Sequence, residues 1–271
     1  MLTFHKILQG CQEADAEAWR AFLSDYTPLV FKLAQIYMPD GPEPFALWQQ
    51  ALRELSNDDF RLLRTFESQS EREFLASLRA FFLDKGTPES ANVQSSALPE
   101  LTAGRLAALV KSLPLLHQQV LFLKLAGYSD GTLEKIFRIT PAVAQKSLEG
   151  LDAEYHAALG KQHDRNLQPA AWLRLTQELR ASRTETCPPL RQFIRIQDGQ
   201  VGWQEKEPAE RHLSECLHCL EAWTALLEIS FWRGAAERRP ATEIEALLSG
   251  LPVKKQPPES GSFLSKLLKR K

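Results

Sequence analysis

Three candidate metal ligands lie within eight residues of one another, in the stretch HLSECLHC at 212–219. Zinc prefers thiolate and neutral imidazole ligands, in a four-coordinate tetrahedral arrangement. On a single helix, His212 and Cys216 would share a face and Cys219 would follow three residues later, so all three could converge on one ion. Cys187 is the only other nearby cysteine. The sequence therefore predicts a Zn²⁺ site formed by Cys187, His212, Cys216 and Cys219.

Other interpretations of this stretch remain open at the level of sequence. A close pair of cysteines can be buried as small hydrophobic residues. A C-x-x-C motif can also be redox-active, but it then normally begins a helix beside a sheet, and no sheet is predicted here. On a helix His218 would point about 100° away from Cys219, which makes it a weaker candidate ligand.

The elements that must position these ligands are predicted to be helices throughout. Apolar residues recur every three or four positions over residues 12–37, 44–55 and 70–84, and no alternating run typical of a strand is present. Breaks are indicated by MPDGPEP at 38–44 and by HDRNLQPA at 163–170. The polar stretch GTPESANVQSSALPE at 86–100 is typical of a linker between domains. The predicted fold class is all-α.

Residues 113–159 have the spacing of a helix-turn-helix. A first helix begins at Pro114 and stops at Gly127, and Ser129 or Asp130 can cap a second helix that ends near Phe137. Thr140 can then cap a third helix that has Pro141 at its first position. The third helix is the one that such a motif places in a DNA major groove.

The cysteine and histidine cluster resembles the zinc-binding anti-sigma domain, over residues 187–232. The resemblance rests on H-x3-C-x2-C, on the upstream Cys187 and on IQDGQV at 196–201, which matches the Asp-Gly turn that these domains place between two helices. It implies a module whose helices are held together by a metal ion and that binds a sigma factor, either within the same chain or on another chain.

The helix-turn-helix block resembles region 4 of extracytoplasmic-function (ECF) sigma factors, through LPLLHQQVLFLKLAGYSDGTLEKI and TPAVAQKSL. In that family the module binds the −35 promoter element. The resemblance implies that six residues lie on or near the DNA-facing surface: Thr140, Ala142, Val143, Gln145, Lys146 and Ser147. Unlike typical members, the third helix has Lys146 as its only basic residue, and the turn has Arg138 where the family commonly has glycine.

Residues 4–85 resemble region 2 of the same family. FALWQQALRELS corresponds to the helix that binds the polymerase clamp, and the resemblance implies polymerase-binding roles for Leu47, Trp48, Gln49 and Gln50. Both acids of the family's Asp-Leu-x-Gln-Glu core are replaced, by Ala46 and Gln50. FESQSEREFLASLRAFFLDKG would hold the −10 reading surface, to which it offers Arg72, Arg79 and Lys85. Large aromatic residues such as Trp19, Trp48, Phe74 and Phe81 are expected to be core residues.

Together these patterns predict an ordered series of domains. The series is a region 2-like domain (1–85), a linker (86–100), a region 4-like domain (101–162), a connecting helix (163–186), a zinc-binding anti-sigma-like domain (187–235) and a flexible basic tail (236–271). The tail has six basic residues and one acid from Lys254 onward. We expect its end to be solvated, although FLSKLLKRK could form a short amphipathic helix on a surface.

Composition and motifs restrict the function classes. The net charge is −1, so binding to nucleic acid would have to rely on a local surface. No apolar run is long enough to span a bilayer, and the N-terminal stretch lacks the features of a signal peptide, so we predict a cytoplasmic protein. The sequence has no phosphate-binding glycine loop, paired-carboxylate motif or nucleophile elbow, and we predict that it is not an enzyme and has no small-molecule substrate.

Two functions are compatible with the sequence. The first is a bacterial ECF-type sigma factor that binds core RNA polymerase and promoter DNA and is controlled through intramolecular contact with its zinc domain. The second is a degenerate sigma-fold interaction or anti-sigma protein without promoter recognition. The lost acids and the weakly basic third helix favour the second.

Overall fold

The protein is described by a computed structural model that covers residues 3–39, 41–65, 69–87, 103–149 and 169–254. Within these ranges the chain forms thirteen α-helices and no strand, so the predicted all-α class is confirmed. No helix in the described ranges has the length and apolar character needed to cross a membrane. The linker prediction falls almost entirely outside the described residues, as do the end of the region 4-like domain and the predicted tail beyond Lys254.

The helices follow one another with short connections. In chain order they are α1 (Phe4–Gln12), α2 (Ala16–Tyr37), α3 (Pro44–Arg64), α4 (Glu71–Gly86), α5 (Ala103–Lys111), α6 (Leu115–Leu125), α7 (Asp130–Phe137), α8 (Pro141–Glu149), α9 (Pro169–Ala181), α10 (Leu190–Gln197), α11 (Trp203–Glu215), α12 (Leu217–Ala235) and α13 (Ala241–Ser249).

The described chain divides into two compact units. The first comprises Met1–Thr27, Gln49–Ser68 and Arg238–Lys271, and the second comprises Pro28–Trp48 and Gln69–Glu237. Each unit is discontinuous in sequence, because α2 and α3 each contribute one part to the first unit and one part to the second. The domain boundaries expected from the sequence stay a prediction.

The first unit has a core of aromatic and aliphatic residues from α1, α2, α3 and α13. Trp19 is fully buried, donates a hydrogen bond from Nε1 to the carbonyl oxygen of Cys11 (3.0 Å) and contacts the rings of Phe22 and Phe60. Helix α3 is interrupted before Phe60, since Asp58, Asp59 and Phe60 adopt left-handed conformations with φ between 50° and 58°.

Residues 241–249 correct the prediction of a flexible tail from residue 236 onward. They form α13, which follows Pro240 and buries Ile244, Leu247 and Leu248. Apolar residues at helical spacing give this helix one face that can be buried. The prediction of a flexible tail had relied on the basic residues that follow the helix. Arg20 also binds Glu245 across the surface of the first unit, with Nε 2.5 Å from Oε1.

The second unit is organised around α12, which packs against α4, α6, α7, α9, α10 and α11. Helix α4 begins with a capping box in which the Ser70 hydroxyl accepts from the Glu73 N–H and the Glu73 carboxylate accepts from the Ser70 N–H. Its buried face includes Phe74, Phe82 and Leu83, and Phe82 lies edge-on to Trp48. Trp19, Trp48 and Phe74 are therefore core residues, as predicted, whereas Phe81 is only half-buried.

The predicted helix-turn-helix spacing is present as α6, α7 and α8. Gly127 has a φ of 99° just beyond α6, a conformation that favours glycine and ends the helix there. Arg138 ends α7 in the left-handed region (φ 53°, ψ 42°), and the Ile139 N–H closes the turn on the Glu134 carbonyl at 3.0 Å. The hydroxyl of Thr140 accepts a hydrogen bond from the Val143 N–H (3.4 Å), which is the predicted cap of α8.

Candidate metal centre

The structure brings together all four residues predicted as metal ligands. Their ligand atoms lie within 4.8 Å of one another, and the group could hold a metal ion. The Sγ atoms of Cys187 and Cys216 are 3.8 Å apart, and Nε2 of His212 is 3.1 Å from Sγ of Cys219. Zn–S bonds of about 2.3 Å in a tetrahedron require sulfur atoms roughly 3.8 Å apart and a nitrogen about 3.5 Å from each sulfur. The donor set and these two distances are compatible with a tetrahedral metal site.

The ligands are positioned by a break between two helices. His212 lies in the last turn of α11, and Cys219 lies in the first turn of α12. Cys216 stands between the helices in an extended conformation (φ −115°, ψ 108°). The expectation that His212, Cys216 and Cys219 share one continuous helix is therefore wrong. The break lets Sγ of Cys216 turn toward Cys187 while His212 and Cys219 remain in contact.

Cys187 reaches the cluster from the loop that precedes α10. Its Sγ accepts hydrogen bonds from the backbone N–H and the hydroxyl of Thr184, both at 3.4 Å. Burial raises the pKa of the Cys187 thiol, but these bonds from Thr184, together with His212 and Cys219, lower it to about 6. Thr184 therefore favours the thiolate form, which is the form that binds metals.

Cys219 is the most deeply buried ligand. Burial raises the pKa of its thiol, and the neighbouring sulfur atoms of Cys216 and Cys187 raise it further. These effects favour the protonated thiol at Cys219. A bound dication removes that proton, because thiols that coordinate a metal are deprotonated.

An apolar core supports the ligands on their inner side. It consists of Phe193, Ile196, Ala209, Leu213 and Leu226 together with the buried cysteines, and the ring of Phe193 stands edge-on to Trp223 at 5.9 Å. The core is small for a module that spans α10–α12. Small cores of this kind are often completed by a structural metal.

His218 is not part of the cluster, in agreement with its ranking as the weaker candidate. Its Nδ1 lies 3.1 Å from the carbonyl oxygen of Leu179 on α9. This contact connects the first turn of α12 to the helix predicted to link the two parts of the chain.

The predicted Asp-Gly turn joins α10 to α11. Gly199 has a φ of 68°, and the Gln200 N–H donates to the carbonyl oxygen of Arg195 (2.8 Å). Asp198 in this turn accepts a hydrogen bond from Arg72 of α4 at 2.7 Å, and the side chain of Gln197 accepts a second. The turn therefore contacts a helix outside the predicted zinc domain.

The structure corrects the role that the sequence suggested for Arg79. It was expected on a DNA-reading surface, but it is 2% exposed and lies among acidic side chains of α12. Its guanidinium donates to Glu228 from Nε (2.5 Å), to Glu221 (2.7 Å) and to the Tyr37 hydroxyl (2.9 Å). A side chain so enclosed is not available to DNA in this conformation.

Two tyrosines complete this buried network around Glu228. The hydroxyls of Tyr37 and Tyr128 both donate to its carboxylate, the first at 2.7 Å, and the Trp232 indole donates to the Tyr128 oxygen at 2.9 Å. Burial raises the pKa of both tyrosines, which keeps their hydroxyls protonated as donors. Sequence reasoning missed this network. The available signal was a pair of acids two turns apart, Glu221 and Glu228, on an otherwise apolar helix.

The residues predicted to contact DNA are exposed wherever their side chains are described. Thr140, Ala142, Val143 and Gln145 are exposed on α8, and Val143 is 41% exposed despite being apolar. The side chains of Lys146 and Ser147 lie outside the described part of the protein. The DNA-binding role of this surface stays a prediction.

The four residues predicted to bind polymerase are largely covered. Leu47 and Trp48 are buried, Gln49 is half-buried and Gln50 is exposed. Their polymerase-binding role also stays a prediction. In this arrangement Gln50 is the member of the set that a partner can reach directly.

Comparison with protein-family models, with curated proteins and with solved structures finds no match to this chain. We therefore infer a function from the residues and the geometry of this chain.

Proposed function

We propose that this chain is a sigma-factor-like regulator of transcription initiation, controlled in cis by a zinc-binding module. The proposed partners are core RNA polymerase and promoter DNA, and the proposed metal is Zn²⁺, held by Cys187, His212, Cys216 and Cys219. The resemblance of the sequence blocks to ECF sigma regions and to an anti-sigma domain supports the partners. Three cysteines and one histidine whose ligand atoms lie within 4.8 Å of one another support the metal.

The observation that carries the proposal is the contact of Arg79 with Glu221 and Glu228. Arg79 belongs to α4, in the stretch that resembles a DNA-reading surface, and the two acids belong to α12, which also bears the ligand Cys219. The module that would bind zinc thus covers a basic residue of the region 2-like helix. Covering such a residue is the kind of contact expected of a restraining domain.

The role of the metal in this proposal is to fix the start of α12. When bound, zinc would supply a rigid four-ligand junction between the α10 loop, α11 and α12, and that junction contributes folding free energy. His212 and Cys216 hold the end of α11, and Cys219 holds the first turn of α12. With its first turn fixed, α12 presents Glu221 and Glu228 to α4.

The proposed restraint can be tested on the full-length protein. Binding to core RNA polymerase would be measured for the wild type and for the double variant Glu221→Gln/Glu228→Gln. The double variant lacks the two carboxylates of α12 that form ion pairs with Arg79. If α12 restrains the protein, the double variant should bind polymerase more tightly than the wild type. Glu205→Gln is a matched control, because Glu205 makes an exposed pair with Arg195. Unchanged binding in the double variant, with the wild type already bound tightly, would contradict control in cis.

A second function, a sigma-fold interaction protein without promoter activity, is favoured by the burial of Leu47 and Trp48. Both lie in the helix that resembles the polymerase-binding element, and both are core residues here. If neither the wild type nor the double variant binds polymerase at micromolar concentration, this second function is the better explanation.

A further inference from the structure

A cavity of about 470 Å³, open to solvent on one side, lies within the second unit, between α4, α6, α7, α10, α11 and α12. Its volume is within the usual range of small-molecule binding sites, roughly 300–1,000 Å³. The metal centre and the buried Arg79 network do not include the residues that line it. From its lining we propose that this cavity binds a small organic anion that combines a phosphate or carboxylate with a flat apolar group.

Basic residues outnumber acidic residues in the lining of the cavity. Arg72, Lys135, Arg138 and Lys206 line it, against two acids. The acids are already engaged, since Asp198 accepts from Arg72 at 2.7 Å and Glu210 lies 3.4 Å from Lys206. Lys135 and Arg138 have no ion-pair partner among the residues that the structure describes. Their two uncompensated charges favour an anionic ligand.

Most of the remaining wall is apolar, which favours a ligand with an apolar group over a purely inorganic anion. Leu116, Ile136, Leu227 and Phe231 line the cavity together with the indole of Trp223. An aromatic or other flat apolar group would bury against these side chains. The ligand class is therefore amphipathic, with its anionic group toward Lys135 and Arg138.

The position of the cavity suggests a consequence for regulation. Arg138 is the left-handed residue of the helix-turn-helix, and Gln197 and Asp198 belong to the turn of the metal-binding module. A ligand that contacts both walls would stabilise the docked arrangement of α10–α12. This consequence rests on the proposed function, whereas ligand binding itself does not.

The test measures binding to the zinc-loaded, full-length protein by isothermal titration calorimetry, without polymerase or DNA. The probe is 1-naphthyl phosphate, compared with 1-naphthol, which lacks the charge, and with inorganic phosphate, which lacks the apolar group. We expect the naphthyl phosphate to bind at least tenfold more tightly than either. Equal affinities for naphthyl phosphate and naphthol, or no binding of naphthyl phosphate at millimolar concentration, would overturn the proposal.

Matched variants locate the site. Lys135→Gln and Arg138→Gln should each weaken naphthyl phosphate binding by roughly fivefold to tenfold, because each removes one positive charge from the cavity wall. Lys6→Gln removes an exposed lysine of α1, outside the cavity, and should leave the affinity unchanged. If Lys135→Gln binds naphthyl phosphate as strongly as the wild type does, the probe binds elsewhere and the proposed site is wrong. Thermal unfolding curves of each variant confirm that the fold is retained.

Discussion

At the scale of single residues, the left-handed backbone at Arg138 restricts which residue types are favourable at that position. It ends α7 with a φ of 53°, a region that is unfavourable for residues with a Cβ atom. Glycine adopts this conformation without that cost and is the usual residue where a helix ends in a left-handed turn. The arginine is exposed, so its side chain gains little from packing in return.

Replacing Arg138 by glycine should therefore stabilise the protein. We expect Arg138→Gly to raise the free energy of unfolding by about 1 kcal/mol, because the left-handed strain is removed. The measurement is urea-induced unfolding followed by circular dichroism. Arg183→Gly is the control, since Arg183 is exposed and has no positive φ. It should not stabilise, because glycine there only adds freedom to the unfolded chain. A loss of stability in Arg138→Gly would contradict the argument.

At the scale of elements, the contact between α4 and α12 is made by charged groups buried on an otherwise apolar interface. Arg79 contacts two carboxylates, while Arg180 lies 3.6 Å from Glu221 and also binds Asp84. Arg79 lies between the two acids of α12, and Arg180 is shared between Glu221 and Asp84. A buried network of paired charges specifies which helices meet, because any other pairing leaves a charge without its partner.

Removing Arg79 should destabilise the protein strongly. We expect Arg79→Met to lower the free energy of unfolding by about 3–5 kcal/mol, because it leaves Glu228 and Glu221 buried without their main partner. Urea denaturation gives the value. Arg195→Gln, which breaks an exposed pair, should change stability by no more than about 0.5 kcal/mol.

A compensating variant separates lost charge balance from lost packing. Adding Glu221→Gln and Glu228→Gln to Arg79→Met removes the uncompensated charges and should restore part of the stability. If the triple variant is less stable than Arg79→Met, the acids are not the cause of the destabilisation.

At the scale of the whole molecule, the candidate metal centre brings together segments that are separate in sequence. Cys187 and Cys219 belong to different elements, and the core between them has five buried apolar residues besides these cysteines. Under the proposed function, zinc therefore contributes a large share of the stability of the α10–α12 region. Removing it should weaken the contact of α12 with the rest of the second unit.

Metal removal should be visible in stability and in metal content. A chelator should lower the free energy of unfolding by at least about 2.7 kcal/mol, the stabilisation expected from a ligand at one hundred times its Kd. Zn²⁺ should restore it. Thermal unfolding and elemental analysis are the measurements.

Cys216→Ala should lose the bound zinc, whereas Cys11→Ala, which changes the cysteine outside the cluster, should keep one zinc per chain. Equal zinc content in the two variants would contradict the site.

Much of the local structure could be predicted from the sequence. The apolar spacing predicted helices throughout, and Pro114, Gly127 and Thr140 marked helix ends that the structure confirms. The set of four metal ligands also followed from residue type and proximity, since no other cysteine lies near the cluster. These features depend on backbone geometry and ligand chemistry, which act over a few residues.

Only the tertiary structure decided what covers each helical face. Periodicity showed that α4 has a buried face, but not that Arg79 lies on it beside Glu228. The break at Cys216 and the burial of Leu47 also escaped sequence reasoning, as did α13. The physical reason is that helix periodicity specifies which side of a helix is apolar, whereas the neighbour that buries it depends on contacts between residues more than a hundred positions apart.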